Sequence, residues 1–223
     1  MENLQKINMF VSWKKFLKPK YIGFSGMTIP FISHGIIILI IMLNSSWFSW
    51  NDHFLSDLGN YKRLGDLALL FNLGLVISGI FLLSFGLGFT WVLSQEFKGY
   101  SRLLAVFGAL FLTGAGVCLT SIGLFSEDFG SMHGYSAVLF VVFTLLSMGF
   151  IGLAMLFKEE MRLLGILGVM IVIGLIGPII LYIYFYTEHH LSTNTAIPVL
   201  LSSLSVGFWL FLQARRIYRL ELQ

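Results

Sequence analysis

Long apolar runs separated by short polar connectors make up nearly the whole chain. The runs lie at roughly 21–43, 65–93, 102–124, 134–157, 163–186 and 196–214, each close to the ~20 helical residues that cross a hydrocarbon core. Strict apolar–polar alternation, the mark of a membrane barrel strand, is missing from them, and a backbone in lipid must satisfy its own hydrogen bonds. The pattern predicts an all-α fold, a polytopic membrane helical bundle of six transmembrane helices. Two connectors, SQEFKGYS and KEEMR, are so short that spans two and three, and four and five, must be antiparallel neighbours.

Composition agrees with the pattern: 57% of residues are hydrophobic, 11% are charged, and the mean hydropathy is +0.87. Charge adds a direction. Lys6, Lys14, Lys15, Lys18, Lys20, Lys98, Arg102, Lys158, Arg162, Arg215, Arg216 and Arg219 fall on one side of the predicted spans, against Lys62 and Arg63 on the other. By the positive-inside rule both termini are cytoplasmic and the protein sits in the cell membrane. The net charge of +3 reports orientation, and no basic helix with interleaved aromatics suggests a nucleic-acid partner.

Three regions follow: a basic cytoplasmic segment at 1–20, a single six-helix transmembrane domain at 21–214, and a short basic tail at 215–223. In the first, Met9, Trp13 and Phe16 share a helical face that suits an interfacial helix ended by Pro19. The run at 21–43 is too long for a signal-peptide core and lacks a small-residue exit, so it is expected to be retained. Small residues four apart, namely Gly74 and Ser78, Ser84 and Gly88, Gly116 and Thr120, and Gly174 and Pro178, predict close helix packing. Cys118, the single cysteine, lies inside span three and implies no disulfide.

Polar chemistry gathers on the outer face. The connector GLFSEDFGSMHG, Gly123 to Gly134, holds Glu127, Asp128 and His133; the first outer connector holds His53 and Asp57, and the last holds Glu188, His189 and His190. His133 opens span four, where the positive end of the helix dipole favours a neutral ring fit for a base. With Asp128 or Asp57 orienting that ring, these three are the catalytic candidates. His53, His133, His189 and His190 are the candidate metal ligands, although no HExxH spacing accompanies them. Inside the membrane, His34 needs a polar partner, and Asn72 at similar depth is the expected one. His34, Asn72 and Glu127 are therefore the candidate ligand-binding residues. Each group also has a plain structural account, with Asp128 or Ser131 capping span four and Asp57 closing a turn before Gly59. Trp47, Phe48, Trp50 and Phe54 suit an aromatic belt at the interface.

The run LSDLGNYKRLGDLALLFNLGLVISGIFLL, with Asp57, Phe71-Asn72, Gly74 and Gly79, and the run SIGLFSEDFGSMHGYSAVLF resemble the six-helix membrane proteins of domain of unknown function family 998. The resemblance covers roughly residues 26–190 and includes Gly26 and Pro30. It implies a compact six-helix integral membrane protein and brings no reaction. In the third connector the family pattern looks like Phe-Pro-x-Asp, whereas Ser126 stands here at the proline position.

Two classes of function fit these residues. One is a membrane module that binds a lipid or a membrane-protein partner, with a small-solute or proton path as a sub-case. The other is a small enzyme acting on an outer-leaflet lipid through a His/Asp or metal site. Ser56, Ser126 and Ser131 are nearby hydroxyls outside any nucleophile motif, no motif names a cofactor, and the first class is the expectation.

Overall fold

The computed structural model describes residues 18–44, 46–189 and 196–220, with the backbone alone over 178–189. Among the described residues six helices are long and apolar enough to cross a membrane. They are α1 Pro19–Leu43, α2 Asp66–Glu96, α3 Gly99–Leu124, α4 Ser131–Leu156, α5 Arg162–His189 and α6 Ala196–Arg219. Pro19 suits the first turn of α1 because its fixed φ is already helical. The 31 residues of α2 make about 46 Å of helix, so its ends project beyond the apolar layer. α6 continues past Ala214 to Arg219, which puts Arg215, Arg216 and Arg219 on its final turns. The leader face of Met9, Trp13 and Phe16 lies outside the described residues.

The helices pack in the ring order α6, α1, α2, α3, α4, α5, and among the described residues α5 leans on α4 while touching α6 only lightly. Phe85 and Phe89 stack at 5.0 Å in the core, with Met148, Ile151, Met155 and Trp209 also sealed from the outside. Trp209 Nε1 donates to the Leu164 carbonyl at 3.0 Å, satisfying its indole while tying α6 to α5. The fully buried Gln213 points Nε2 at the Met155 thioether, 3.3 Å away.

The start of α1 lies beside the end of α6, where Gly23 abuts the Tyr218 backbone. The end of α2 joins them through a two-pronged ion pair, Arg216 Nη1 and Nη2 on the Glu96 oxygens at 2.8 and 2.9 Å. Lys158, after α4, sits over the Phe97 ring at the same level. This is the basic end of the bundle. The opposite, acidic end carries Asp57, Glu127 and Asp128.

One seam sets the heights of the two ends. On α2, Gly79 and Gly86 lie against Thr120 and Thr113 of α3; on α3, Gly116 and Gly123 lie against Leu83 and Asn72 of α2. The glycines alternate between the helices at seven-residue spacing, which keeps them on the line of contact of two antiparallel helices crossing at a shallow angle. A Cβ on Gly116 would come within 2.5 Å of the Leu83 nitrogen, so backbone meets backbone there. Of the pairs expected from four-residue spacing, Gly74 and Gly88 do pack, against Ile36 and Ile22, whereas Gly174 faces open space and Ser84 is exposed. Gly116→Val is expected to force the seam apart at a cost of about 1–3 kcal/mol. Gly149→Ala, at a mid-helix position with nothing nearby, should leave thermal unfolding in detergent unchanged or raised slightly, by up to about 1 kcal/mol.

Candidate functional site at the acidic end

Two connectors meet at the acidic end. The first makes a 3-10 turn, Leu55–Gly59, and then one helical turn, Tyr61–Leu64; the third makes a 3-10 turn, Glu127–Phe129. Leu55 and Leu58 point inward and bury the first of these turns. Asp57, 2% exposed, accepts from the Phe54 N–H through Oδ2 at 3.0 Å and meets Arg63 Nη1 through Oδ1 at 2.7 Å. Asn60 caps the next turn, its Oδ1 accepting from the Arg63 N–H at 3.2 Å, while its Nδ2 donates to Glu127 Oε2 at 3.2 Å. The Tyr61 N–H donates to Asp128 Oδ2 at 2.8 Å. Below them Asn72 Nδ2 donates to the Gly59 carbonyl at 3.0 Å. Glycine at 59 leaves room for this bond, because a Cβ there would approach Asn72 Oδ1 to 2.6 Å and push the amide aside. The two connectors are thus latched side chain to side chain and side chain to backbone.

The latch contains a pair of acids. The Glu127 carboxyl is held above the usual carboxylate range, first by burial and then by its hydrogen bond to, and repulsion from, Asp57; Asn60 and Arg63 pull the other way. Asp57 is already engaged by Arg63 and the Phe54 amide, so Glu127 is the member of the pair whose carboxyl is biased toward its protonated form.

His133 stands apart from this pair. Its Nδ1 donates to the Phe125 carbonyl at 2.9 Å, across the turn that opens α4, so that in the neutral ring Nε2 is the acceptor nitrogen. Neither Asp128 nor Asp57 touches it. His53 takes the Ser49 N–H on Nδ1 at 3.0 Å and lies against Trp47 and Phe48. Among the described residues no three His, Cys, Asp or Glu side chains converge as a metal site. The side chains of Glu188, His189 and His190 lie outside the described residues.

A family model described as a protein of unknown function (DUF998) matches residues 29–216. The chain belongs to the DUF998 family. No curated protein and no solved structure gives a match. The matched range of this DUF998 protein takes in the whole latch, Pro30, His34 and the α6 residues beside them.

Several of the expected pairings are replaced by others. His34 does not pair with Asn72: its Nδ1 donates to the Pro30 carbonyl at 2.8 Å, and its Nε2 lies 3.1 Å from Ser203 Oγ on α6. The Ser203 proton is shared with the Leu200 carbonyl, 2.8 Å away. Gly207 makes the room, since a Cβ there would stand 3.1 Å from Pro30 and 3.2 Å from the His34 ring. Asn72 is held instead by Gly59, thirteen residues back in its own connector. Neither Asp128 nor Ser131 caps α4, whose cap is Gly130 at φ 55°, a left-handed backbone that favours glycine. Asp128 turns away to hold Tyr61. Asp57 does close its turn, and Phe48 of the expected belt is buried beneath it. Sequence reasoning passed over Asn60, Arg63 and Ser203. Asn60 stands where a helix cap belongs, and Ser203 with Gly207 forms a small-residue pair four apart.

Because the Glu127 carboxyl gains protons on folding, its contribution to stability is full below the ordinary glutamate range and fades as pH rises through its raised value. Thermal unfolding of wild type should therefore lose stability from about pH 4.5 upward relative to Glu127→Gln, which carries the uncharged form permanently. A parallel pair of curves would contradict the acid pair. At mid-bundle, Ser203→Ala should cost about 0.6 kcal/mol, the usual worth of one interhelical hydrogen bond in lipid, read in the same unfolding assay.

Proposed function

We propose that this DUF998 protein is a non-catalytic module of the cell membrane that binds a lipid or a membrane-protein partner. In this reading its acidic end is on the outer face and both termini are in the cytoplasm. One observation carries the reading. The three catalytic candidates do not bond one another: Asp57 is held by the Phe54 amide and Arg63, Asp128 by the Tyr61 amide, and His133 by the Phe125 carbonyl. Groups committed in this way position connectors, and the platform they build is the natural recognition surface. The orientation is supported by twelve basic residues on one side of the spans against two on the other.

The enzymatic reading rests on the His133 tautomer, since an unprotonated Nε2 is the form a general base needs. Mass spectrometry of co-purified lipids, followed by incubation with added lipid extract, separates the two. Wild type and His133→Ala are expected to carry the same bound species and to convert none of the added lipid. A lipid consumed by wild type and spared by His133→Ala would overturn the non-catalytic reading.

A further inference from the structure

Where α5 only brushes α6, the basic end stays open. A groove of about 310 Å³ runs between them, lined by Leu164 of α5 and by Leu212, Arg215, Arg216 and Arg219 of α6, with Leu220 just past its end. Its size is at the lower end of the range for ligand pockets, about 300 to 1,000 Å³. All the α6 positions fall on one helical face, because 212, 216 and 220, and 215 and 219, are four apart. Three of the six arginines in the chain are gathered here.

Charge in the groove is unbalanced. Arg216 is matched by Glu96 at 2.8 Å, and its Nε is buried without a partner. Arg215 and Arg219 are exposed and meet no carboxylate among the described residues. Two guanidinium groups therefore stand over an apolar floor of three leucines at the level of the bilayer surface. Guanidinium presents paired N–H donors that match phosphate oxygens, and a basic pocket between membrane helices is the arrangement that takes an anionic headgroup. The larger groove at this end, about 510 Å³ between α2 and α3, offers a single cation, Arg102, and lacks that match.

We propose that the α5–α6 groove binds the phosphodiester headgroup of an anionic glycerophospholipid from the adjacent leaflet, with Arg215 and Arg219 on the phosphate and an acyl chain running along the leucines. The site is remote from the acidic end and independent of the function assigned there.

The full-length protein in neutral detergent, titrated with phosphatidylglycerol or with phosphatidylcholine and followed by native mass spectrometry and thermal unfolding, tests this. Wild type should retain phosphatidylglycerol and gain thermal stability from it, with no such response to phosphatidylcholine. The Arg215→Gln/Arg219→Gln variant should bind phosphatidylglycerol about thirtyfold more weakly, the effect of removing two surface arginines. Without lipid it should unfold as wild type does, because neither arginine has a partner to lose among the described residues. Lys18→Gln/Lys98→Gln removes the same charge from exposed positions at the same end and should keep the response. Retention by the arginine variant to within twofold of wild type, or an equal loss in the lysine variant, would overturn the site. Displacement of the lipid by inorganic phosphate at equal concentration would overturn its assignment to a lipid headgroup.

Discussion

Along the α2–α3 seam no side chain larger than glycine fits between the backbones at four levels, and the acidic end takes its geometry from that contact. Gly123 is pressed against the Asn72 carbonyl, so the end of α3 is fixed in height against the start of α2. Asn72 in turn holds Gly59, which fixes the first connector to the same level. The connectors leaving the two helices then have one place to go, and there they meet. Lipid offers no hydrophobic drive between helices, so close packing of small residues has to supply the adhesion.

The meeting of the connectors concentrates acids. Asp57, Glu127 and Asp128 would repel one another if each were fully ionised and unpaired, and burial would sharpen that repulsion. The structure answers with fixed donors: Arg63, Asn60 and the amides of Phe54 and Tyr61 each take one oxygen. The raised affinity of Glu127 for a proton eases the repulsion further. The latch is consequently an electrostatic object rather than a hydrophobic one, set over the apolar cluster of Leu55, Leu58, Phe71 and Ile40.

What the sequence told and what it withheld divide along a physical line. The six spans were legible because lipid imposes length and composition on each helix separately. The acidic cluster was legible too, because charges are rare enough in this chain to stand out. Partners were not. His34 with Asn72 was a reasonable match by depth, yet depth says nothing about azimuth, and α1 presents His34 to α6 while Asn72 faces its own connector. Likewise Asp128 had the right spacing to cap α4, but Gly130 turns the chain through positive φ and swings the carboxylate toward Tyr61. The seam was legible in part: four-residue spacing picks out Gly116 and Thr120, which do lie in it, whereas the glycines that meet backbone recur every seven.

The contact between His34 and Ser203 joins residues 169 apart in sequence. A chain made from its N-terminus places α1 in the bilayer long before α6 exists. Through that interval the notch at Pro30 is uncovered and the imidazole has one nitrogen unmatched in an apolar medium, a costly state. α6, made well after α1, is thus the helix that relieves it. A chain halted before α6 carries an unmatched polar group in the middle of the membrane, and the arrival of Ser203 removes it.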